Sequence, residues 1–199
     1  MTDWWPHCVA GSLGLVLLVG LAGCATEAPA PRQDAPEVPP ATGSPFPARP
    51  AGLKLDAVDP CSLLTAAQQS QLGIQHVQRD DNSDELGSAA CLWDNSGGSP
   101  DNSWVARVIV KRGADYALGS TTGVNVVQVS GFTAVQTAAP YQDLKINCVL
   151  VVDVAQGQSL GVQYLNTRGN YPGINHQVAC QLTQRAAEFM VQNLRVLAR

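Results

Sequence analysis

Hydrophobic and polar positions alternate with period two through much of the chain's second half. Ile146, Cys148, Leu150, Val152 and Val154 make the cleanest such run, and Leu160, Val162 and Tyr164 continue it after the short segment Gln156-Gly157-Gln158. Successive side chains of a strand point to opposite faces, so each run reads as a half-buried β-strand, and the short connection makes the two antiparallel. Trp104, Ala106, Val108 and Val110 share one face of an earlier strand while Arg107 and Lys111 take the other, and Cys91 and Trp93 share a face before them. Residues 124–129 and 132–136 are β-branched and interrupted at Gly131, where a bend or bulge is expected. These segments predict an antiparallel sheet with one buried face.

Two stretches change to helical spacing. Thr65-Ala66-Ala67-Gln68 matches a capping box, and Gly73 suits a left-handed helix end, so a short helix is expected over residues 66–72. Asp59 and Pro60 precede it as a capping residue and a first helical position, with Leu63, Leu64 and Leu72 supplying apolar contacts. The second stretch, residues 175–194, puts Val178, Leu182, Ala186, Phe189 and Asn193 on one stripe, with Ala179 and Met190 at its shoulder. Cys180 then falls about 160° from Leu182, so a bridge from it would leave the back of the helix. The expected fold class is α+β: a single domain whose antiparallel sheet is packed by a short N-terminal helix and a long C-terminal amphipathic helix.

The first fifty residues have another character. An apolar run over residues 9–22 is too short to span the ~30 Å bilayer core as a helix but suits the apolar part of a signal peptide. It ends in Leu21-Ala22-Gly23-Cys24, the order aliphatic, small, small, Cys that a lipoprotein signal peptidase cuts before an acylated cysteine. No Lys or Arg precedes the run, which departs from the usual charged start. Residues 25–52 hold eight of the thirteen prolines and no periodic apolar pattern, a composition that favours extended polyproline-type chain. The domains read as a signal peptide over residues 1–23, lipidated Cys24 and a Pro-rich tether over 24–52, and a globular α+β domain over 53–199. On this reading the membrane is a partner through the lipid anchor, and the domain is extracytoplasmic.

Charge and cysteines narrow the picture further. Sixteen acidic residues face twelve basic ones with no basic block, so a phosphate backbone would find little to grip and no nucleic-acid partner is expected. Setting aside Cys8 and Cys24, four cysteines remain: Cys61, Cys91, Cys148 and Cys180. An even, well-separated set in an exported chain reads as two disulfides. Three pairings are open; Cys61 with Cys91 and Cys148 with Cys180 is favoured because each then ties neighbouring elements. Each bridge would close a loop worth roughly 3–4 kcal/mol in the chain-entropy account. No C-x-x-C motif is present to suggest thiol exchange.

The segment Asp59-Pro60-Cys61-Ser62-Leu63-Leu64-Thr65 with Gly73 after it, Cys91-Leu92-Trp93 further on and the later cysteine pair resemble the actinobacterial lipoprotein family of domain of unknown function 3558. The resemblance spans about residues 56–197. It implies an envelope lipoprotein with a compact α+β domain akin to a PsbP-like sandwich, and brings no catalytic residues with it.

Candidate chemistry is sparse. Gly157-Gln158-Ser159-Leu160-Gly161 matches G-x-S-x-G, but a nucleophile elbow needs a strand-to-helix turn and Ser159 lies at a hairpin. His76 and His176 have no identifiable nucleophile in sequence, and His176 with Cys180 and Cys148 has metal-ligand spacing that a disulfide would pre-empt. Asp80, Asp81, Asn82, Asp84 and Glu85 form an acidic cluster that fails as an EF-hand, with Glu85 where Gly is needed and Cys91 where the bidentate Glu belongs. Tyr164, Arg168 and Tyr171 form a candidate binding edge around a Pro-Gly turn. No cofactor and no metal are expected. The sequence favours a binding module for an envelope protein or ligand. A cell-envelope hydrolase using Ser159 and His176 is the alternative, and a purely structural docking role the third reading.

Overall fold

The longest alternating run becomes the middle of the fold. The computed structural model describes residues 44–81, 88–119, 123–137, 146–166 and 171–199. Its strands are His76–Asp80 (β1), Ser88–Asp94 (β2), Asn102–Ile109 (β3), Asn125–Val129 (β4), Phe132–Thr137 (β5), Ile146–Ala155 (β6) and Gln158–Asn166 (β7). They make one antiparallel sheet in the order β1-β2-β3-β7-β6-β5-β4. The expected strands are all present. The first and weakest, β1, is one that hydrophobic patterning does not reveal: His76-Val77-Gln78-Arg79-Asp80 is mostly exposed at the sheet edge and has no face to bury.

Alternation sorts the core. Trp93, Trp104, Tyr164, Leu150, Leu160 and Phe132 are fully buried on one face, where the helix Met190 and Leu194 meet them. Trp104 and Tyr164 pack edge to face at 5.4 Å between centroids, and the Tyr164 hydroxyl donates to Asn102 Oδ1 at 2.5 Å. Burial pushes the Tyr164 phenol up to about 12. The residue therefore stays a neutral donor inside the core.

The N-terminal end of the domain follows its capping signals. Pro60–Leu63 forms one 3-10 turn capped by Asp59, and Ala66–Gln71 (α1) begins at a complete Thr65–Gln68 capping box. None of the six residues of α1 is buried. Its apolar anchors are the flanking Leu63, Leu64 and Leu72.

The long helix, His176–Leu197 (α2), carries its buried face one notch round from the expected stripe. The buried positions are Ala179, Cys180, Thr183, Ala186, Ala187, Met190, Val191 and Leu194, whereas Leu182, Phe189 and Asn193 are only partly covered. Asn193 instead donates to the Leu63 carbonyl at 2.8 Å and to Gln68 Oε1 at 2.7 Å, stitching α2 to the α1 region. With the face centred near Thr183 and Ala187, Cys180 lies about 60° or less from its middle. The bridge from Cys180 thus leaves the inside of the helix, not the back.

Two further expectations are corrected on the opposite face of the sheet. It is covered over β5 and β6 as well, by Phe46, Ala114 and Ala117 packed on Val135 and Val151. The covering chain includes residues 44–52, the end of the segment expected to be a free tether. Within it Arg49 reaches Asp153, which is 2 % exposed, with Nη2 donating to Oδ1 at 2.9 Å and Nε 2.7 Å from Oδ2. Leu53 N–H then donates to the Val154 carbonyl at 2.8 Å and Leu55 N–H to Gln158 Oε1 at 2.7 Å. Leu53 and Leu55 join the helix-side core, so the strap passes from one face of the sheet to the other.

Burial holds the Asp153 carboxyl above the usual carboxylate value, and Arg49 pulls it back down. Arg49→Ala should cost about 3 kcal/mol at neutral pH, because it leaves a buried carboxylate without its partner. A carboxyl whose folded pKa is raised favours the folded state only where it is protonated, and that contribution fades as pH rises. The penalty of Arg49→Ala should therefore be largest near pH 7 and shrink toward pH 4, as read from denaturant unfolding across that range.

Candidate functional site

The residues singled out for chemistry do not converge. Ser159 is fully buried in β7 opposite Ile109, and its hydroxyl donates to the Arg112 carbonyl at 3.0 Å. It lies on a strand, as the hairpin context implies, and presents no nucleophile to a cleft. His176 stands at the start of α2 with Nδ1 2.8 Å from the Asn147 carbonyl oxygen. A carbonyl only accepts, so Nδ1 carries the proton there. The other ring nitrogen lies 3.6 Å from Cys180 Sγ. His76 begins the exposed edge strand β1.

The candidate binding edge comes apart. Tyr164 is wholly buried beneath the sheet's aromatic cluster and cannot meet a partner, whereas Tyr171 is exposed. A period-two pattern places Tyr164 on the core face with Leu160 and Val162, and the neighbouring turn residues do not change that. Arg168 lies outside the described residues, as do Cys24 and Asn82, Asp84 and Glu85 of the acidic cluster. Of the rest of that cluster, Asp81 pairs with Arg79, which also meets Asp59.

Both disulfides form in the sequential pairing. Cys61 bridges Cys91 and Cys148 bridges Cys180, each with Cα atoms 5.0 Å apart. The first ties the 3-10 turn to β2 and the second ties α2 to β6. A bridged Cys148 and Cys180 are not metal ligands, and among the described residues no three His, Cys, Asp or Glu side chains group closely enough to hold an ion. Two bridges fit a domain that lives in an oxidising, extracytoplasmic compartment. Among the described residues no helix is long and apolar enough to cross a membrane.

What the elements do assemble is a groove of about 540 Å³ between the first half of α2 and the β4–β5 hairpin. Five carboxamides line it: Gln177, Gln181 and Gln184 from the helix, Asn125 and Gln136 from the strands. Helical spacing puts the first three on one exposed side, and Asn125 faces Gln136 directly across the β4–β5 register. Cys180 sits in the same wall, so the Cys148 bridge fixes that wall to the sheet. The charged groups in the lining are one cation, Arg185, and one carboxylate, Glu188. A carboxamide carries both donors and an acceptor. Of the five, only Gln184 is seen to spend its donors within the protein among the described residues, on the Gln128 carbonyl at 2.9 Å and on Glu188 Oε1 at 3.0 Å. A groove so lined suits a neutral guest rich in hydrogen-bonding groups.

A second concavity of about 600 Å³ lies over β1, β2 and β3, with Leu92 and Val105 in its lining. Its charged side chains are already engaged, Arg79 with Asp59 and Asp81, and Asp80 and Arg107 with partners of their own. The carboxamide groove is the better candidate. Sequence reasoning passed over it because glutamine on a helix reads as solvated surface. Its one linear trace is the spacing of Gln177, Gln181, Gln184 and Glu188, while Asn125 and Gln136 come from a different element.

Removing the bridge by Cys148→Ala with Cys180→Ala should lower stability by about 3–4 kcal/mol in the chain-entropy account. Denaturant unfolding checks the size of the loss. Hydrogen exchange should show it first in the opening turns of α2, where the groove wall is fixed.

Comparison with known proteins gives a family and no named relative. No curated protein and no solved structure matches the chain. A family model described as Protein of unknown function (DUF3558) matches residues 19–193, and the chain belongs to that family.

Proposed function

We propose that this protein is a lipid-anchored binding module of the cell envelope, and that its ligand seats in the carboxamide groove between α2 and the β4–β5 hairpin. The observation that carries the reading is that groove: five amide side chains shared between α2 and the β4–β5 hairpin, with α2 bridged to β6 by a disulfide and with balanced charge. A preformed wall reduces the ordering cost of association. Amide side chains that can donate and accept select a guest by the pattern of its polar groups and not by net charge.

The anchor half of the proposal rests on the sequence Leu21-Ala22-Gly23-Cys24. Acyl chains contribute about 0.8 kcal/mol per buried methylene, so two or three chains hold a protein on a bilayer essentially permanently. The Pro-rich segment behind Cys24 would then carry the domain away from the lipid surface. The hydrolase reading has no observation in its favour, since Ser159 is buried and its hydroxyl is spent on a backbone carbonyl.

Cys24→Ala should move the full chain from the membrane fraction to the soluble fraction of fractionated cells; retention in the membrane at the wild-type level would refute the anchor. For the groove, a photo-crosslinking residue in place of Gln181 in the full chain should give a light-dependent adduct in intact cells. The same residue in place of Lys111, which is exposed and outside the groove lining, should not. Equal labelling at both positions, or none at Gln181, would refute the site.

A further inference from the structure

The β4 strand closes the sheet on the side of the groove, and nothing in it resists extension of the ladder. Its sequence, Asn125-Val126-Val127-Gln128-Val129, has no charge and no proline. The opposite edge, β1, carries Arg79 and Asp80. Natural sheets usually guard an edge with charges, proline or a covering element, because its unpaired N–H and C=O groups template another strand. Among the described residues only one carbonyl of this edge is guarded, that of Gln128.

The register says which backbone groups face outward. Ser130 and Gly131 have φ of 50° and 86° and form the two-residue turn between Val129 and Phe132. A two-residue loop makes its flanking residues a hydrogen-bonded pair. Counting back in steps of two, Val127 and Asn125 also bond to β5, so the N–H and C=O of Val126 and Gln128 point away from it. The Gln128 carbonyl accepts from Gln184 Nε2 at 2.9 Å. A side-chain amide of α2 thus occupies a position that the backbone amide of an added strand would take. Val126 is 58 % exposed and leads this edge.

We propose that the groove's guest is an extended polypeptide segment that joins the sheet beside β4 as an eighth strand. This names the ligand class for the groove reading above and rests on it. Such a guest takes its affinity from main-chain hydrogen bonds and its specificity from alternate side chains. One row of its side chains faces the carboxamides of Gln181 and Gln184, and the other lies on the opposite face beside Val126. The geometry selects a segment that alternates polar with β-branched apolar residues and carries little net charge. The guest's own backbone amide replaces Gln184 on the Gln128 carbonyl.

The test uses the full chain and an acetylated, amidated peptide of about ten residues alternating threonine and valine, with a lysine at one end and a glutamate at the other. Added peptide should slow backbone hydrogen exchange across residues 124–129. Val126→Pro should weaken binding by about tenfold, the loss of one well-made backbone hydrogen bond, with little change in unfolding midpoint. Proline is tolerated where an edge N–H faces away from the ladder, and its preceding residue stays extended. A complementary pair of peptides leaves the protein untouched: methylation of one alternate set of backbone nitrogens should abolish binding, and methylation of the other should not. Unchanged exchange at residues 124–129, or equal binding by both methylated peptides, would overturn strand addition. So would concentration-dependent dimerisation of the full chain that Val126→Pro removes, since a second copy would then own the edge. If crosslinking at Gln181 persists while the peptide leaves β4 unprotected, strand addition alone falls. If the peptide protects β4 and Gln181 gives no adduct, the carboxamide wall falls and the edge remains.

Discussion

One sulfur–sulfur bond decides where the long helix sits. Cys148 lies in β6, an interior strand between β7 and β5, and Cys180 in the opening turns of α2. Between them they set the separation of the helix from β6. Below the bridge, Thr183 repeats the tie with a weaker device: its hydroxyl lies 3.4 Å from the Cys148 carbonyl and donates to the Ala179 carbonyl at 2.8 Å. Further along, Arg195 donates to the Ser130 carbonyl at 2.8 Å and lies over the Phe132 ring. The helix is thus fixed at its start to β6 and near its end to the β4–β5 turn. The groove is the space these two attachments leave open.

The two faces of the sheet are held by different physics. The helix side is an aromatic and aliphatic core in which Tyr164 and Asn166 both donate to Asn102 Oδ1, while the indole N–H groups of Trp93 and Trp104 find no partner among the described residues. The other side is smaller and is closed by a strap that combines one aromatic ring with one ion pair. Burying that pair is costly in desolvation and worth little net stability, but it is specific: Arg49 has one place to put its charge. Position along the sheet is what the pair contributes.

Most of this architecture was legible in the order of residues. Period-two alternation and β-branched runs located six strands, capping chemistry located the first residue of α1 and overran its end by one, and of three open cysteine pairings the favoured one forms. What escaped notice lacked a self-contained local signal. The strap residues 44–52 look like more proline-rich linker because a lone Phe46 and a lone Arg49 acquire meaning only from Val151 and Asp153, a hundred residues on. Edge strand β1 has no apolar face to announce it. The helix stripe was misjudged because Leu182 and Phe189 outweigh alanines in hydrophobicity, while close packing over a disulfide favours the small residues Ala179, Thr183 and Ala187. The groove was missed for the same kind of reason, as its lining is shared between elements about fifty residues apart.

The strap has a mechanical meaning. Tension applied to the chain from the N-terminal side of residue 44 does not reach the strands directly. It arrives first at Phe46 and then at Arg49, which hold the chain flat on the sheet before it turns toward Leu53. Contacts loaded one after another peel at low force, whereas a hydrogen-bonded ladder pulled lengthwise shears only when many bonds fail together. Residues 44–52 therefore act as a fuse in series with the sheet: a tug is spent on them while the β-ladder and its groove keep their shape.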